Sequence, residues 1–252
     1  MFTHAIVRTP GPDTGDGLTA ANLGRPDLPA LLRQHAAYAA TLEELGLQVE
    51  RLDALPGHPD GYFVEDVALM FPELAVVTRP GAAARLAEAD AIAPTVARTR
   101  AVHRLLSPGT LDGGDVLVVG RAVFVGLGAR TNRDGAAQLA AILAPHGYRV
   151  VTIPVPAGLH LKSGVTCVGE DALVLTEAFA ARPELAGYRR LVVPDEEAYA
   201  ANVLSINGTV LMPKGFLRAQ AMLEGLGLPL RVLDQSEVRK MDGALTCMSL
   251  RF

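Results

Sequence analysis

The last ten residues, 243–252, have the sequence GALTCMSLRF, and they decide how the fold closes. Alternating side chains predict a short strand over 244–250, with Cys247 on one face and Met248 on the other. A chain end is usually polar and frayed, whereas this one is apolar almost to its last residue. We therefore expect the strand to pair inside the fold.

Hairpins followed by helices repeat along the rest of the chain. Asn207-Gly208 is the strongest hairpin signal, because both residues tolerate the left-handed turn conformation. Successive units are about 35 to 50 residues apart, which is typical of repeat architectures. Four copies of two strands and a helix are predicted, at 63–71, 75–78 and 82–91; 114–119, 123–127 and 132–143; 164–168, 172–175 and 178–185; and 202–206, 209–212 and 216–226.

A fifth copy is incomplete, since the strand over 244–250 is followed by the end of the chain. The N-terminal strand over 5–7 has no hairpin partner before the helix predicted over 28–47 and the strand over 47–52. Pairing the two termini would complete the fifth copy and close a ring. We expect one domain, 1–252, and an α+β sandwich with accidental spacing is the alternative.

The composition argues against several classes of protein. The net charge of −4 gives no electrostatic reason to expect nucleic acid. No stretch reaches the roughly 20 apolar residues of a membrane span, and the N-terminus lacks the pattern of a signal peptide. Two cysteines without CxxC spacing predict neither a disulfide framework nor a zinc site. We expect a cytoplasmic protein with no nucleic acid or membrane as partner.

Polar residues interrupt the first strand of several repeats, close to the expected axis of the ring. Buried carboxylates are rarely left unpaired, because removing one from water costs several kcal/mol. A cationic ligand held by several carboxylates would explain the set. Its members are Glu65, Asp66, Asp112, Asp115, His160 and Cys247.

The same set fits nucleophilic catalysis by a cysteine. A thiolate needs a neighbouring cation or base, which His160 would supply if a carboxylate such as Asp112 oriented it. Each residue also has a simpler interpretation, with Cys247 in the core, His160 as a structural histidine and Asp115 in a turn. A metal enzyme is a further alternative, although the histidines lack ligand spacing.

Seven short motifs then occur in a fixed order along the chain. They are FVEDV at 63–67, TRPG at 78–81, LDGGDV at 111–116, FVGL at 124–127, RTN at 130–132, LHLKS at 159–163, and DG with LTC at 242–247. Together they resemble the dimethylarginine dimethylaminohydrolases, a guanidine-modifying family with the five-bladed α/β-propeller called the pentein fold. The resemblance implies ββαβ-type repeats around a central active site.

The resemblance implies a catalytic role for three residues. Cys247 would attack the guanidinium carbon of a methylated L-arginine and form a covalent thiouronium adduct. His160 would protonate the leaving amine and then activate water, while Asp112 holds its ring. The products would be L-citrulline and a methylamine, formed without a metal or organic cofactor.

The resemblance also implies which residues bind this small-molecule substrate. Carboxylates would hold the guanidinium head, arginines would bind the α-carboxylate through their planar forks, and two backbone carbonyls would accept the α-amine. The carboxylates are Glu65 and Asp66, with Asp60 nearby, and the arginines are Arg85 and Arg130. The backbone carbonyls are those of Leu18 and Met241. Leu18 lies on the loop 11–27, where the family's lid closes over the substrate.

Lys162 is the main difference from superfamily members that deiminate plain arginine, which usually carry an aspartate at this position. Without that acid, methyl groups have room and plain arginine loses a hydrogen-bond partner. A surface lysine is the simpler interpretation. The competing functions are an arginine deiminase, an amidinotransferase and a non-catalytic arginine-binding protein. The resemblance leaves a homodimer open.

Overall fold

The computed structural model describes residues 1–252. Fifteen strands form five three-stranded sheets: β1 (His4–Arg8), β2 (Gln48–Leu52), β3 (Ala68–Met70), β4 (Ala75–Val77), β5 (Val102–Arg104), β6 (Val116–Val119), β7 (Ala122–Leu127), β8 (Arg149–Pro154), β9 (Val165–Val168), β10 (Ala172–Thr176), β11 (Arg189–Val193), β12 (Leu204–Ile206), β13 (Thr209–Pro213), β14 (Leu230–Leu233) and β15 (Ser249–Arg251). The α-helices are α1 (Leu28–Glu44), α2 (Leu86–Ala97), α3 (Arg133–Leu143), α4 (Leu161–Gly164), α5 (Glu177–Ala180), α6 (Leu217–Glu224) and α7 (Ser236–Arg239). None of them combines the length and the apolar character that crossing a membrane requires.

Each sheet has the same construction, and we call it a blade. Blade 1 contains β3–β5, blade 2 β6–β8, blade 3 β9–β11, blade 4 β12–β14, and blade 5 β15, β1 and β2. The middle strand pairs antiparallel with one neighbour and parallel with the other. Because parallel strands need a crossover connection, a helix joins the middle strand to the third in every blade. This arrangement confirms the predicted ββαβ repeat.

The two chain ends pair as predicted. β1 lies between β15 and β2, and Ile6 is opposite Leu250 in the antiparallel ladder. The backbone N–H groups of Thr3 and His4 also donate to the carbonyl of Phe252, at 2.9 and 2.8 Å. Blade 5 therefore combines both termini and completes a five-bladed α/β-propeller, so the alternative of an α+β sandwich is wrong.

Aliphatic side chains fill the space around the blades and anchor the C-terminal segment. In one cluster, Leu31, Tyr38 and Leu42 of α1 pack with Leu245 and Met248, and all five are fully buried. Burying a leucine or methionine side chain contributes about 1.5–3 kcal/mol. The segment that carries Cys247 is therefore fixed by the core on both sides of the cysteine.

The first strand of each blade is shorter than predicted, because a turn precedes it. Apolar residues three apart, such as Val64 and Val67, are both buried, and this spacing suits a 3-10 turn as well as a strand. The strand predictions were wrong over these turns, which instead place polar side chains at the axis. The turns are Val64–Val67, Gly113–Asp115, α4, Asp195–Ala201 and residues 245–248.

Candidate active site

Two glycines allow the first turns of blades 1 and 2 to meet His160 at the axis. A Cβ atom on Gly113 would lie 1.9 Å from the carbonyl oxygen of Glu65, and one on Gly114 would lie 2.6 Å from Nδ1 of His160. Neither position has room for a side chain, so the imidazole packs directly over the backbone of this turn. The glycine pair in the LDGGDV motif thus has a packing role that the sequence did not reveal.

Asp112 and His160 form the central hydrogen bond of the site. Nε2 of His160 lies 2.9 Å from Oδ2 of Asp112, and both side chains are buried. The backbone N–H of Gly81 donates to the other oxygen of Asp112 at 2.8 Å, which fixes the orientation of the carboxylate. The second ring nitrogen, Nδ1, lies 3.9 Å from Oδ1 of Asp66.

Three buried carboxylates control the charge of His160. Burial alone would lower its pKa, but the charges of Asp66 and Asp115 and the hydrogen bond to Asp112 outweigh burial and raise the pKa to about 9. Burial also raises the pKa of Asp115 to about 6, while the hydroxyl of Thr131 donates to its Oδ2 at 2.6 Å. His160 is therefore an imidazolium at neutral pH and can donate a proton from Nδ1.

Asp66 is held in its charged form beside His160. It accepts a hydrogen bond from the N–H of Gly114 at 3.0 Å and an ion pair from Arg85 at 2.5 Å. Burial would raise the pKa of Asp66, but the charges of His160 and Arg85 lower it to about 2. Arg85 also donates to Glu88 and to two backbone carbonyls, so one Nη1 hydrogen is left without a partner.

Asp66, Asp112 and His160 offer potential metal-ligand atoms within 4.8 Å of one another. These atoms already have hydrogen-bond partners: Asp112 bonds to His160 and to the N–H of Gly81, and Asp66 bonds to the N–H of Gly114 and to Arg85. An imidazolium cannot ligate a cation, and the Arg85 guanidinium adds a repelling charge. The cluster therefore suits proton transfer better than metal binding.

The turn that carries Cys247 is fixed by hydrogen bonds. The carbonyl of Cys247 accepts from the N–H of Glu65 at 3.1 Å, and its own N–H donates to the carbonyl of Ala244 at 3.2 Å. Asn202 accepts from the N–H of the adjacent Thr246 at 3.1 Å and donates to its hydroxyl at 3.0 Å. No motif in the sequence singled out Asn202, although it precedes the first strand of blade 4 as Asp66 precedes that of blade 1.

Burial raises the pKa of the Cys247 thiol to about 12, and the negative charges of Glu65 and Asp66 add to this effect. The charge of Lys162 opposes it to a lesser extent. Unless another cation lies beside it, the thiol is therefore protonated at neutral pH.

Glu65 pairs with two cations. Nζ of Lys162 lies 2.6 Å, and Nη2 of Arg251 2.9 Å, from the same oxygen, Oε1. The other oxygen, Oε2, is buried without a hydrogen-bond partner. The interpretation of Lys162 as a surface lysine is wrong, since it is buried. Arg251, which the sequence did not single out, also donates to the carbonyl of Thr246 at 3.0 Å.

A narrow cleft reaches His160 and Cys247 from the side of blades 1 and 2. The backbone N–H of Leu18 donates to both oxygens of Asp60, at 3.2 and 3.0 Å, and so fastens the predicted lid loop over the cleft. Glu65 does not line this cleft. Six of the predicted substrate-binding residues do line it: Leu18, Asp60, Asp66, Arg85, Arg130 and Met241.

Arg130 differs from Arg85 in having most of its hydrogen-bond donors unused. Its Nη1 lies 3.7 Å from Oδ2 of Asp112, which is its one ion pair, and its side chain is 17% exposed. An arginine fork with unused donors is suited to bidentate binding of a carboxylate. Of the two arginines, Arg130 is therefore the better placed to bind an anionic group in the cleft.

A second, wider cavity of about 440 Å³ adjoins the same centre from the side of blades 3 and 4. Lys162 and Thr246 form part of its wall. His160 and Cys247 border both the cleft and this wide cavity. The thiol and the imidazolium therefore lie at the junction of two spaces.

Comparisons of the sequence with known proteins identify its relatives. The family model described as arginine deiminase matches residues 93–196. The chain is 39% identical to the N(G),N(G)-dimethylarginine dimethylaminohydrolase of Pseudomonas aeruginosa over 100% of both chains. It is 38% identical to that of Streptomyces coelicolor over 98% of this chain and 96% of the other.

Solved structures show the same relationship. The Pseudomonas aeruginosa enzyme, as a cysteine-to-serine variant complexed with citrulline, matches with a TM-score of 0.98 over 100% of both chains. The N-terminal domain of ArgZ, at 20% identity and a TM-score of 0.89, shares the fold. Identity of nearly two residues in five over the full length decides the family, and the chain belongs to the dimethylarginine dimethylaminohydrolases.

Proposed function

We propose that this protein hydrolyses Nω-methylated L-arginine, in the form of asymmetric dimethylarginine or monomethylarginine, to L-citrulline and the corresponding methylamine. The main observation behind the proposal is that a half-buried thiol, Cys247, borders the same two spaces as His160, an imidazolium that Asp112 orients through a 2.9 Å hydrogen bond. The relatives support it, since one solved relative is a dimethylarginine dimethylaminohydrolase complexed with citrulline. Another is an adduct with S-methyl-L-thiocitrulline.

The cleft accounts for recognition of the amino-acid end of the substrate. Arg130, with the remaining Nη1 hydrogen of Arg85, binds the α-carboxylate. The backbone carbonyls of Leu18 and Met241 accept from the α-amine, and the carboxylate of Asp60 lies close enough to favour its charge. Two unit charges at 4 Å gain about 1 kcal/mol in water and several times more in a partly buried site.

The guanidinium head then lies between Cys247, His160 and Asp66. Asp66 lines the cleft and its charge attracts the guanidinium head directly, whereas Glu65 lines neither space and contributes only through its charge. The negative charges of Glu65 and Asp66 raise the pKa of the Cys247 thiol, and the positive charge of the substrate would offset them. Substrate binding therefore lowers the pKa of Cys247 and promotes formation of the thiolate where it is needed.

Cleavage of the carbon–nitrogen bond uses the thiolate and the imidazolium together. The sulfur of Cys247 adds to the guanidinium carbon and forms a tetrahedral intermediate. The bond from that carbon to the methylated nitrogen breaks, its electron pair stays on the nitrogen, and His160 Nδ1 supplies the proton. Methylamine or dimethylamine leaves, and the carbon remains bound to sulfur as a thiouronium.

In the hydrolysis of the thiouronium, His160 acts as a base instead of an acid. Neutral His160 accepts a proton from water, and the hydroxide oxygen adds to the same carbon. The carbon–sulfur bond breaks, its electrons return to the sulfur of Cys247, and the hydroxyl proton of the intermediate passes to that sulfur and restores the thiol. The water oxygen becomes the ureido oxygen of L-citrulline. His160 is again an imidazolium, held in place by Asp112, and these steps require neither a metal nor an organic cofactor.

Lys162 supports the preference for methylated substrate. It pairs with Glu65 at 2.6 Å, at the position where an acid would otherwise bind an unsubstituted guanidinium nitrogen. A buried site that provides no acceptor at this point penalises the extra N–H groups of plain arginine. We also place the enzyme in the cytoplasm, where a reducing environment keeps Cys167 and Cys247 as free thiols.

Parallel assays of citrulline release from asymmetric dimethylarginine and from arginine test the proposal. We expect turnover of the methylated substrate by the wild type and none by Cys247→Ser. Faster release of ammonia from arginine would instead indicate a deiminase. Binding of dimethylarginine without turnover by the wild type would indicate a non-catalytic arginine-binding protein.

A further inference from the structure

The wide cavity is larger than the amine that the proposed reaction releases. Its volume is about 440 Å³. Dimethylamine has three heavy atoms, and if each occupies about the 30 Å³ of one liquid water, the amine fills about 90 Å³. Most of the cavity would then remain unused by the methylated substrates.

The position of the cavity decides which part of a substrate can enter it. In the proposed mode of binding, the amino-acid end of the substrate enters the cleft on the side of blades 1 and 2, and the guanidinium carbon lies at Cys247. The cleft holds only about 20 Å³ in this structure, so it must widen to admit that end. The leaving nitrogen must lie beside His160 to receive its proton. Since His160 borders both spaces, a substituent on this nitrogen extends away from the cleft and into the wide cavity.

The wall of the cavity is suited to an apolar group. Tyr199 is fixed there, because its hydroxyl donates to the carbonyl of Gly243 at 2.8 Å and its ring lies 5.7 Å from that of Phe216. The one lysine in the wall, Lys162, already pairs with Glu65. The remaining apolar lining comes from Ala21, Leu23, Ala157, Leu159, Ala178, Ala198 and Ala244. Three charged residues, Asp195, Arg239 and Asp242, also line the cavity.

We propose that the wide cavity is a subsite for apolar Nω substituents larger than methyl, namely alkyl groups of three to six carbons. At about 30 Å³ per carbon, six carbons fill about 180 Å³, which is well within the cavity of about 440 Å³. The inference rests on the proposed function and widens its substrate class to Nω-alkyl-L-arginines. The chemistry is unchanged. The carbon–nitrogen bond breaks, His160 supplies the proton, an alkylamine leaves, and water converts the thiouronium to L-citrulline.

Binding to the Cys247→Ser variant separates the subsite from catalysis. Each buried methylene strengthens binding roughly fourfold. Nω-propyl-L-arginine has two more carbons than Nω-methyl-L-arginine, so we expect about 15-fold tighter binding by calorimetry. Binding of the propyl compound no tighter than that of the methyl compound would overturn the proposal.

Filling the cavity provides the matched test. Ala198 lines the wide cavity, whereas Ala186 lies exposed on another loop and outside it. In otherwise wild-type enzyme, Ala198→Phe should lower kcat/KM for the propyl substrate at least tenfold and that for the methyl substrate less than fivefold. Ala186→Phe should change neither. Equal losses for both substrates in Ala198→Phe would contradict the subsite.

Different results would refute the proposed function and the subsite. Absence of citrulline release from every Nω-substituted arginine would refute the proposed function, and the calorimetric comparison would still decide the subsite. Normal turnover of dimethylarginine together with loss of propyl binding would refute the subsite and leave the proposed function in place.

Discussion

Replacing Asp112 by asparagine removes the carboxylate that both charges and orients His160. The hydrogen bond between them is 2.9 Å long, and the Asp112 side chain is fully buried. Asparagine has nearly the same size and can still accept from the N–H of Gly81. The substitution therefore tests the charge and the hydrogen bond without opening a cavity.

The expected effect follows from the charges around the imidazole. Burial favours neutral His160, yet its pKa is raised to about 9 by Asp66, Asp112 and Asp115. Asp112 contributes both a hydrogen bond and a charge, so its loss should lower the pKa of His160. The imidazolium is the form that donates the proton. At a pKa of about 9 the imidazolium makes up about nine-tenths of His160 at pH 8, and this fraction should fall in Asp112→Asn.

Two assays measure this change. NMR titration of the imidazole in the Cys247→Ser background reports the pKa of His160 without interference from the thiol. Steady-state citrulline release reports kcat, which should fall on the order of 10²–10⁴-fold because general acid catalysis is worth that much. Asp115→Asn is the control, since it removes a buried charge without removing a hydrogen bond to His160.

Asp115→Asn should lower the pKa of His160 less than Asp112→Asn does, and it should retain a larger fraction of kcat. Two results would refute the reasoning. One is a pKa of His160 that is the same in Asp112→Asn as with Asp112 intact. The other is an equal loss of kcat in the two variants, which would mean that orientation by Asp112 has no special importance.

The remaining predictions concern recognition and stability. Arg130→Ala should raise KM about 10- to 100-fold with little change in kcat, because charged hydrogen bonds are worth about 1.5–3 kcal/mol; an unchanged KM would contradict carboxylate binding. Lys162→Met leaves a buried carboxylate with one cation fewer and should destabilise the fold by about 3 kcal/mol in denaturant unfolding, whereas Lys162→Arg should restore most of it. Gly113→Ala would place a methyl 1.9 Å from a carbonyl oxygen and should cost more than about 3 kcal/mol. Gly187→Ala, with nothing within 4 Å, should cost less than about 1 kcal/mol, and equal losses at the two glycines would contradict the packing argument.

The repeat could be predicted from the sequence because each blade carries its own local signals. Turn pairs such as Asn207-Gly208, aliphatic strands and amphipathic helices need no partner to be recognised. Closure of the ring could be predicted by counting strands, since the strands at the two chain ends each lacked a partner. The antiparallel ladder in which Ile6 is opposite Leu250 confirms it. The strand boundaries were less predictable, because Val64 and Val67 suit a turn as well as a strand.

The candidate site was predictable as a set of residues but not as a network of contacts. Position near the axis selected Asp66, Asp112, His160 and Cys247. Pairing depends on tertiary distances that no spacing in the sequence encodes. The two cations on Glu65, one of them Arg251 at the end of the chain, could therefore only be read from the structure. The same holds for Asn202 and its hydrogen bonds to Thr246.

Mass spectrometry of the enzyme quenched during turnover of asymmetric dimethylarginine would test most directly whether Cys247 is the nucleophile. We expect an adduct of the substrate less dimethylamine, located on the peptide that contains Cys247 and absent in Cys247→Ser. Slowing the hydrolysis step with His160→Gly should let any adduct that forms accumulate. Citrulline production without an adduct on Cys247, or an adduct located on Cys167, would contradict the account.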